Sequence, residues 1–250
     1  MGENNSEWYE DEKFWASYAP LMFNSERWAM AEEEAAKASK LLSVKKGASL
    51  LDTCCGVGRH DIHFAQQGLK VTGVDRTEVY LDAAKESAAA EGLEVEFILD
   101  DMRRFSRQNA FNSAVNMFTS FGYFCSEQEE MLFLKNVFIS LKDGGTFLID
   151  VIGKEILARD FTDTECFEQD DIIIYQEFEI IEDWTRLQNR WLLIKDGERV
   201  DYTFSHAVYS ARELKNMFKE TGFNDISVYG SFDGTPYDEK AKRLIIVGTK

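Results

Sequence analysis

Ala48-Ser49-Leu50-Leu51-Asp52-Thr53-Cys54-Cys55-Gly56-Val57-Gly58-Arg59-His60-Asp61 is followed soon after by Val71-Thr72-Gly73-Val74-Asp75. A short apolar run ends in Asp52, breaks at Gly56 and Gly58, and restarts as a second apolar run ending in Asp75. Two such runs with a helical stretch between them read as strand, turn, helix, strand. Gly56 and Gly58 carry no Cβ, so the chain can turn sharply there and a bulky ligand can approach it. Asp75, at the tip of the second strand, is placed to accept hydrogen bonds from both hydroxyls of a ribose.

Which nucleoside cofactor fits is decided by the carboxylates. A dinucleotide site reads G-x-G-x-x-G, its third glycine packing helix on strand and its helix N-terminus facing a pyrophosphate. Here the third position is Asp61, a carboxylate one turn into the helix. Negative charge there repels phosphate. Asp52, four residues before Gly56, has no task in a dinucleotide site but can accept from an ammonium group. A ribose acceptor plus an ammonium acceptor, without a phosphate cradle, describes S-adenosylmethionine better than NAD.

Asp52-Thr53-Cys54-Cys55-Gly56-Val57-Gly58 resembles the first motif, D-x-G-x-G-x-G, of the class I S-adenosylmethionine-dependent methyltransferases, with Cys54 where the first glycine stands. Four further segments resemble that family in order: Val74-Asp75, Leu99-Asp100-Asp101-Met102, Phe111 to Phe118, and Leu141-Lys142-Asp143-Gly144-Gly145 running on to Asp150. The last has Asp143 in place of the usual Pro. The resemblance spans essentially the whole chain. It implies that Asp52 and the loop of Cys54, Gly56 and Gly58 hold the methionine portion, Asp75 and Arg76 the ribose, and Asp101 with Met102 the adenine. It also implies cofactor contacts from Asn116, at the end of the fourth strand, and from Tyr18 in an N-terminal segment that folds over the cofactor. Asn116 could equally be a satisfied turn residue, and Trp15 and Tyr18 packing residues. Asn116 to Phe124 resembles an N-x-F-T-S-F-G-Y-F segment of a small-molecule branch, which places Phe118, Phe121 and Tyr123 in a substrate pocket. Aromatic faces there suit a sulfonium cation and exclude water.

Composition bounds the partners. The chain has 250 residues, 44% hydrophobic and 29% charged, enough for one large domain with a substantial core. Its formal net charge of −17 argues against nucleic acid, which needs clustered Lys and Arg. No run of about 18 apolar residues indicates a membrane span, and acidic Met1 to Glu12 is unlike a secretory signal. Cys54, Cys55, Cys125 and Cys166 form neither a zinc spacing nor a disulfide framework, so no metal is expected and a reducing cytoplasm is the simplest setting. A monomer or homodimer is expected.

Strand–helix alternation over 48–150 predicts an α/β, Rossmann-like fold: a seven-stranded, mostly parallel sheet with helices on both faces. Strands are expected near 48–52, 70–74, 94–99, 111–117 and 144–151, and helices near 58–67, 77–91 and 127–141. Residues 1–45 read as an N-terminal helical cap. Residues 160–207 read as an inserted antiparallel meander, closing as a lid, with Lys195-Asp196-Gly197-Glu198 as a hairpin turn. A helix over 210–221 ending at Gly222 and strands near 223–230 and 242–249 complete the sheet; by the resemblance, the last strand runs antiparallel.

The expected reaction is methyl transfer to a small molecule, to N or O rather than C, by in-line displacement, leaving S-adenosylhomocysteine. No general base stands out; His206, Tyr209 and Tyr237 are weak candidates, and none is compulsory where holding nucleophile and methyl in line supplies most of the acceleration. Arg59 could reach the methionine carboxylate or be exposed. A non-catalytic binding module would share every cofactor motif, and a protein or RNA methyltransferase is the other alternative.

Overall fold

The computed structural model describes residues 7–250, so the first six residues of the expected N-terminal cap lie outside them. The Asp52 run forms strand β1 (Ser49–Thr53), and the loop after it leads into helix α3 (Arg59–Gln66) and strand β2 (Lys70–Asp75). Two helices precede this unit, α1 (Glu12–Met22) and α2 (Ser25–Leu41), behind a 3₁₀ turn at Trp8–Glu10. Asp11 caps α1 by accepting from the Lys13 amide at 2.8 Å, and Asn24 caps α2 by accepting from the Arg27 amide at 2.9 Å. Such caps satisfy backbone donors that a helix start leaves free.

The alternation continues through α4 (Glu78–Ala90), β3 (Glu96–Leu99), β4 (Phe111–Asn116), α5 (Glu127–Ser140) and β5 (Leu141–Val151). After the insert, α7 (Ala211–Thr221) and strands β10 (Asn224–Tyr229) and β11 (Leu244–Thr249) close the sheet. Its order is β10-β11-β5-β4-β1-β2-β3. β11 runs antiparallel to both β5 and β10, and the other pairs are parallel. This is the mostly parallel seven-stranded sheet expected.

The two-residue period of the strands sends neighbours to opposite faces. Leu51, Phe147, Ile149 and Ile246 pack on one side with Phe133 and Leu134 of α5 and Phe218 of α7. Leu50, Leu148 and Ile245 pack on the other with Ala35 and Ala38 of α2 and Phe64 of α3. Helices therefore cover both faces, leaving the carboxyl edge of the sheet, where ligands meet open α/β folds.

Between β5 and α7 the chain forms α6 (Lys154–Asp160) and a separate antiparallel sheet of β6 (Thr164–Gln169), β7 (Ile172–Ile181), β8 (Arg186–Lys195) and β9 (Glu198–Ala207). Phe14, Tyr18 and Leu21 of α1 bury against Ile172, Ile174, Leu193 and Phe204 of that sheet. Helix α6 is absent from the expectation, being only two turns long. β5 begins three residues earlier than expected, because the Gly144-Gly145 turn is absorbed as an irregularity in its pairing with β4.

Candidate functional site

At the carboxyl ends of β1, β2 and β4 lies one cavity of about 1000 Å³ including its open mouth. Its floor is the glycine loop. Cys54, Gly56 and Gly58 have φ of 64°, 57° and 71°, so three left-handed residues alternate through the turn. The Cys54 and Cys55 amides donate to the Val74 carbonyl at 2.8 and 3.1 Å, docking the loop on β2. A Cβ on Gly56 would sit 3.0 Å from the Phe23 ring, so the loop passes close beneath an aromatic side chain.

Asp75 is 9% exposed and anchored at both oxygens. The Gly56 amide donates to Oδ2 at 2.8 Å and the Thr77 amide to Oδ1 at 2.9 Å. Burial pushes its carboxyl up, partly offset by those amides. Asp75 lines the cavity, and a carboxylate oxygen can accept more than one hydrogen bond. Asp52 lines the cavity, and behind it Asp61 is fully buried. No N–H or O–H donor among the described residues reaches the Asp61 oxygens; the groups beside them are the Asp52 carboxyl and the Cys55 thiol. Two carboxyls can bond only through a proton, and burial raises both. A Cβ on Gly73 would fall 2.5 Å from Asp61 Oδ2, so Gly73 makes room for the pair.

The far side is built from β3 and the N-terminal segment. Asp101 and Met102 line it. Burial works against the Asp101 charge, but bonds from the Arg103 guanidinium at 2.6 to 3.2 Å hold its carboxyl below the usual range. Met102 sulfur lies 3.2 Å from that of Cys54, whose thiol burial pushes well up. The roof comes from Tyr9, Trp15, Met22 and Phe23. Arg76 donates to the Tyr9 carbonyl at 3.1 Å and Arg103 to the Tyr9 hydroxyl at 3.2 Å, fastening the roof to β2 and β3.

The remaining wall is Phe118, Ser120 and Tyr123. Phe118 and Thr119 both have left-handed backbones, φ 65° and 62°. Asp150 holds them: it accepts from the Phe118 amide at 2.9 Å and from Arg243 Nε at 2.6 Å, while Arg243 Nη2 donates to Thr119 Oγ1 at 3.1 Å. At the corner below, Arg59 and His60 line the cavity, and both bond Glu34 of α2, at 3.0 and 2.7 Å. Burial pushes the His60 imidazole down despite that carboxylate.

Asp52, Cys54, Gly56, Asp75, Arg76, Asp101, Met102, Phe118 and Tyr123 thus come together on one cavity, while several other sequence-predicted residues do not. Tyr18 is fully buried between α1 and the second sheet, its hydroxyl donating to the Trp191 carbonyl, so it is a packing residue. Gly58 stands behind the loop, where a Cβ would meet Ala84 at 3.0 Å; it permits α3 to pack on α4. Asn116 is fully buried and ties β4 to β1 by donating to the Thr53 carbonyl at 3.0 Å. Phe121 packs in the core with Phe133 and Tyr209. Arg59 is neither exposed nor free at Nη1, being bonded to Glu34 and the Arg27 carbonyl.

The three base candidates also lie off the cavity. His206 sits in the second sheet beside Asn189, pushed down to about 4 by desolvation and the Arg186 charge. Tyr209 lines a separate cleft with Arg186 and Glu213. The Tyr237 hydroxyl donates to Glu155 at 2.9 Å. Sequence reasoning missed Tyr9, Phe23 and Tyr80; the aromatic density of Trp8 to Phe23 was the available signal for the first two, but which rings face inward depends on how that segment docks, and Tyr80, on α4, had no local signal.

Residues 50–145 match a family model described as a methyltransferase domain. It is 27% identical over 214 residues to the Bacillus subtilis protein YqeM, provisionally named a methyltransferase, across 83% of this chain and 86% of that one. An S-adenosylmethionine-dependent methyltransferase from Clostridium acetobutylicum superposes with a TM-score of 0.79 at 16% identity, covering 95% of this chain and 97% of the other. CalS10, an amino pentose methyltransferase from Micromonospora echinaspora, superposes with a TM-score of 0.70 at 19% identity, covering 100% and 99%. The fold is theirs.

Proposed function

We propose that this S-adenosylmethionine-dependent methyltransferase carries the methyl group to nitrogen or oxygen of a small molecule held against Phe118, Ser120 and Tyr123. One observation carries the reading: a single cavity joins two carboxylates, Asp52 and Asp75, to an aromatic wall. The residues fit the cofactor. Gly56 leaves a space that a Cβ would close against Phe23, Asp75 offers a fixed bidentate acceptor for ribose hydroxyls, and the Asp52–Asp61 pair offers one shared negative charge to an ammonium. Asp101 and Met102 complete the adenine end. When bound, the cofactor supplies a methyl on an activated sulfonium.

The chain's own residues then bind, orient and exclude water. Phe118 and Tyr123 present aromatic faces favourable to a cation. The strained Phe118–Thr119 turn is held by Asp150 and Arg243, so the wall is preorganised, and positioning can supply much of the rate. α1 and the sheet of β6 to β9 act together as a lid: Trp8 donates to the Ser205 carbonyl at 3.0 Å and its ring lies 4.8 Å from that of Tyr123. His60, the cavity's histidine among the described residues, is held by Glu34 rather than free to act as a base. A cavity roofed by Tyr9, Trp15, Met22 and Phe23 favours a small acceptor over protein, the charge of −17 speaks against RNA, and the likeness to an amino-sugar enzyme agrees with a small acceptor. Four free cysteines suit a reducing cytoplasm.

The test is incubation with methyl-labelled cofactor and fractionated metabolite extract. A labelled small molecule is expected. Label on protein or RNA instead, or on nothing while the cofactor still binds, would replace the reading by one of its alternatives.

A further inference from the structure

We infer that Glu130 and Arg186 are positioning residues, clamping the loop of Gly122, Tyr123 and Phe124 from two sides and so setting the Tyr123 ring against the methyl-transfer end of the cavity. The inference rests on the proposed placement of the cofactor's sulfonium beside the aromatic wall, and names what holds that wall in place.

Tyr123 and Phe124 both line the cavity, but the groups that fix them stand behind it. Glu130, in the first turn of α5, is fully buried. Its Oε1 accepts from the Phe124 amide at 3.1 Å, and the Gly122 amide acts on the same carboxyl. From the other side, Arg186 of β8 donates through Nη1 to the Phe124 carbonyl at 3.1 Å. Its Nε and Nη2 hold Ser205 of β9, at 3.1 and 3.0 Å. The Gly122 carbonyl accepts from the Ala207 amide at 2.7 Å. Both residues flanking Tyr123 are thus held at amide and carbonyl alike. Gly122 has φ 110°, and a Cβ there would fall 2.5 Å from the Ala207 carbonyl oxygen, so the close approach of loop and β9 requires glycine. The Tyr123 ring in turn meets Trp8, whose indole bonds the Ser205 carbonyl. The second sheet is therefore joined to the aromatic wall through this loop.

A carboxyl is a costly group to bury. Glu130 Oε2 has no partner among the described residues. Burial pushes the carboxyl up to about 8, outweighing the two amides and the Arg186 charge. At neutral pH Glu130 therefore serves chiefly as a neutral acceptor for the loop. An apolar side chain would fill the same space without that cost, but would leave the Phe124 amide buried and unbonded.

Calorimetric titrations with S-adenosylmethionine and with S-adenosylhomocysteine test this. The two ligands differ by the charged methyl sulfonium, so their affinity ratio reads the ring beside it. A merely structural change would weaken both alike. In Tyr123→Leu the affinity for S-adenosylmethionine relative to S-adenosylhomocysteine should fall at least about threefold. Glu130→Leu and Arg186→Met should lower the ratio in the same direction. Glu130→Gln, which keeps an acceptor for the loop, should stay within about twofold of wild type. Where Glu130→Leu does not melt cooperatively, Arg186→Met and Glu130→Gln decide. A wild-type ratio in Arg186→Met or in folded Glu130→Leu, while Tyr123→Leu shifts, overturns the clamp alone. So does a ratio in Glu130→Gln as low as that of Tyr123→Leu. An unshifted ratio in Tyr123→Leu itself removes the sulfonium from beside that ring, and the proposal with it.

Discussion

The Gly56 amide donates a 2.8 Å hydrogen bond to the Asp75 carboxylate, so the glycine loop and the tip of β2 form one unit before any ligand arrives. The bond joins residues nineteen positions apart. It explains why a left-handed glycine and a buried acid occur together: the loop's shape presents the amide, and the amide keeps the acid aimed into the cavity. Preorganisation of this kind lowers the ordering cost of binding.

Asp75→Ala therefore removes both the ribose acceptor and the loop's anchor. Affinity for S-adenosylhomocysteine should fall at least about tenfold, near 1.4 kcal/mol, as for hydrogen bonds to a charged group. Titration calorimetry reads this directly, and unchanged affinity would remove Asp75 from the site.

Gly56→Ala forces a Cβ into a backbone at φ 57° and within 3.0 Å of Phe23. Left-handed strain costs about 1–2 kcal/mol, so both melting temperature and cofactor affinity should drop. Gly58→Ala, with its Cβ 3.0 Å from Ala84, should lower stability first, because that contact lies behind the cavity. Equal affinity losses in the two variants would contradict this division.

Tyr18→Phe separates packing from binding. Loss of the hydroxyl's bond to the Trp191 carbonyl should cost roughly 1 kcal/mol of stability, while affinity for S-adenosylhomocysteine stays within about twofold. A large affinity loss with unchanged melting would return Tyr18 to the cofactor.

The Asp52–Asp61 pair gives stability a definite pH slope. Burial raises both carboxyls, Asp61 to about 7. The native state thus holds a proton that the unfolded chain has released, so this contribution is full below the ordinary carboxylate range and lost as pH rises through about 7. Asp61→Asn keeps a donor for Asp52 without the second charge. Its melting temperature relative to wild type should be higher at pH 8 than at pH 5, measured by scanning calorimetry. Parallel curves would mean the pair does not share a proton.

The strands and the glycine turn were legible because their signals are local: apolar runs of five or six residues, bounded by Asp52 and Asp75 and broken by Gly56. The insert was legible too, since Ile172 to Ile181 is rich in β-branched and aromatic residues and Lys195-Asp196-Gly197-Glu198 is a hairpin signal. What was not legible depends on docking. Tyr9, in the 3₁₀ turn, and Tyr18, on α1, belong to one aromatic segment, and only the seating of that segment on the second sheet turns one inward and the other away. Asn116, Phe121 and Gly58 sit in the right motifs but point behind the cavity wall, a matter of one strand register or one helix turn. The Arg27–Glu34–Arg59 corner joins residues from two helices, and no spacing in the sequence announces it.

Titration of the wild-type protein with S-adenosylhomocysteine, beside a parallel titration with NAD, tests the central claim most directly. The account predicts one saturable site for the thioether and no heat with the dinucleotide. Silence toward the thioether, or saturable binding of NAD in its place, would contradict it.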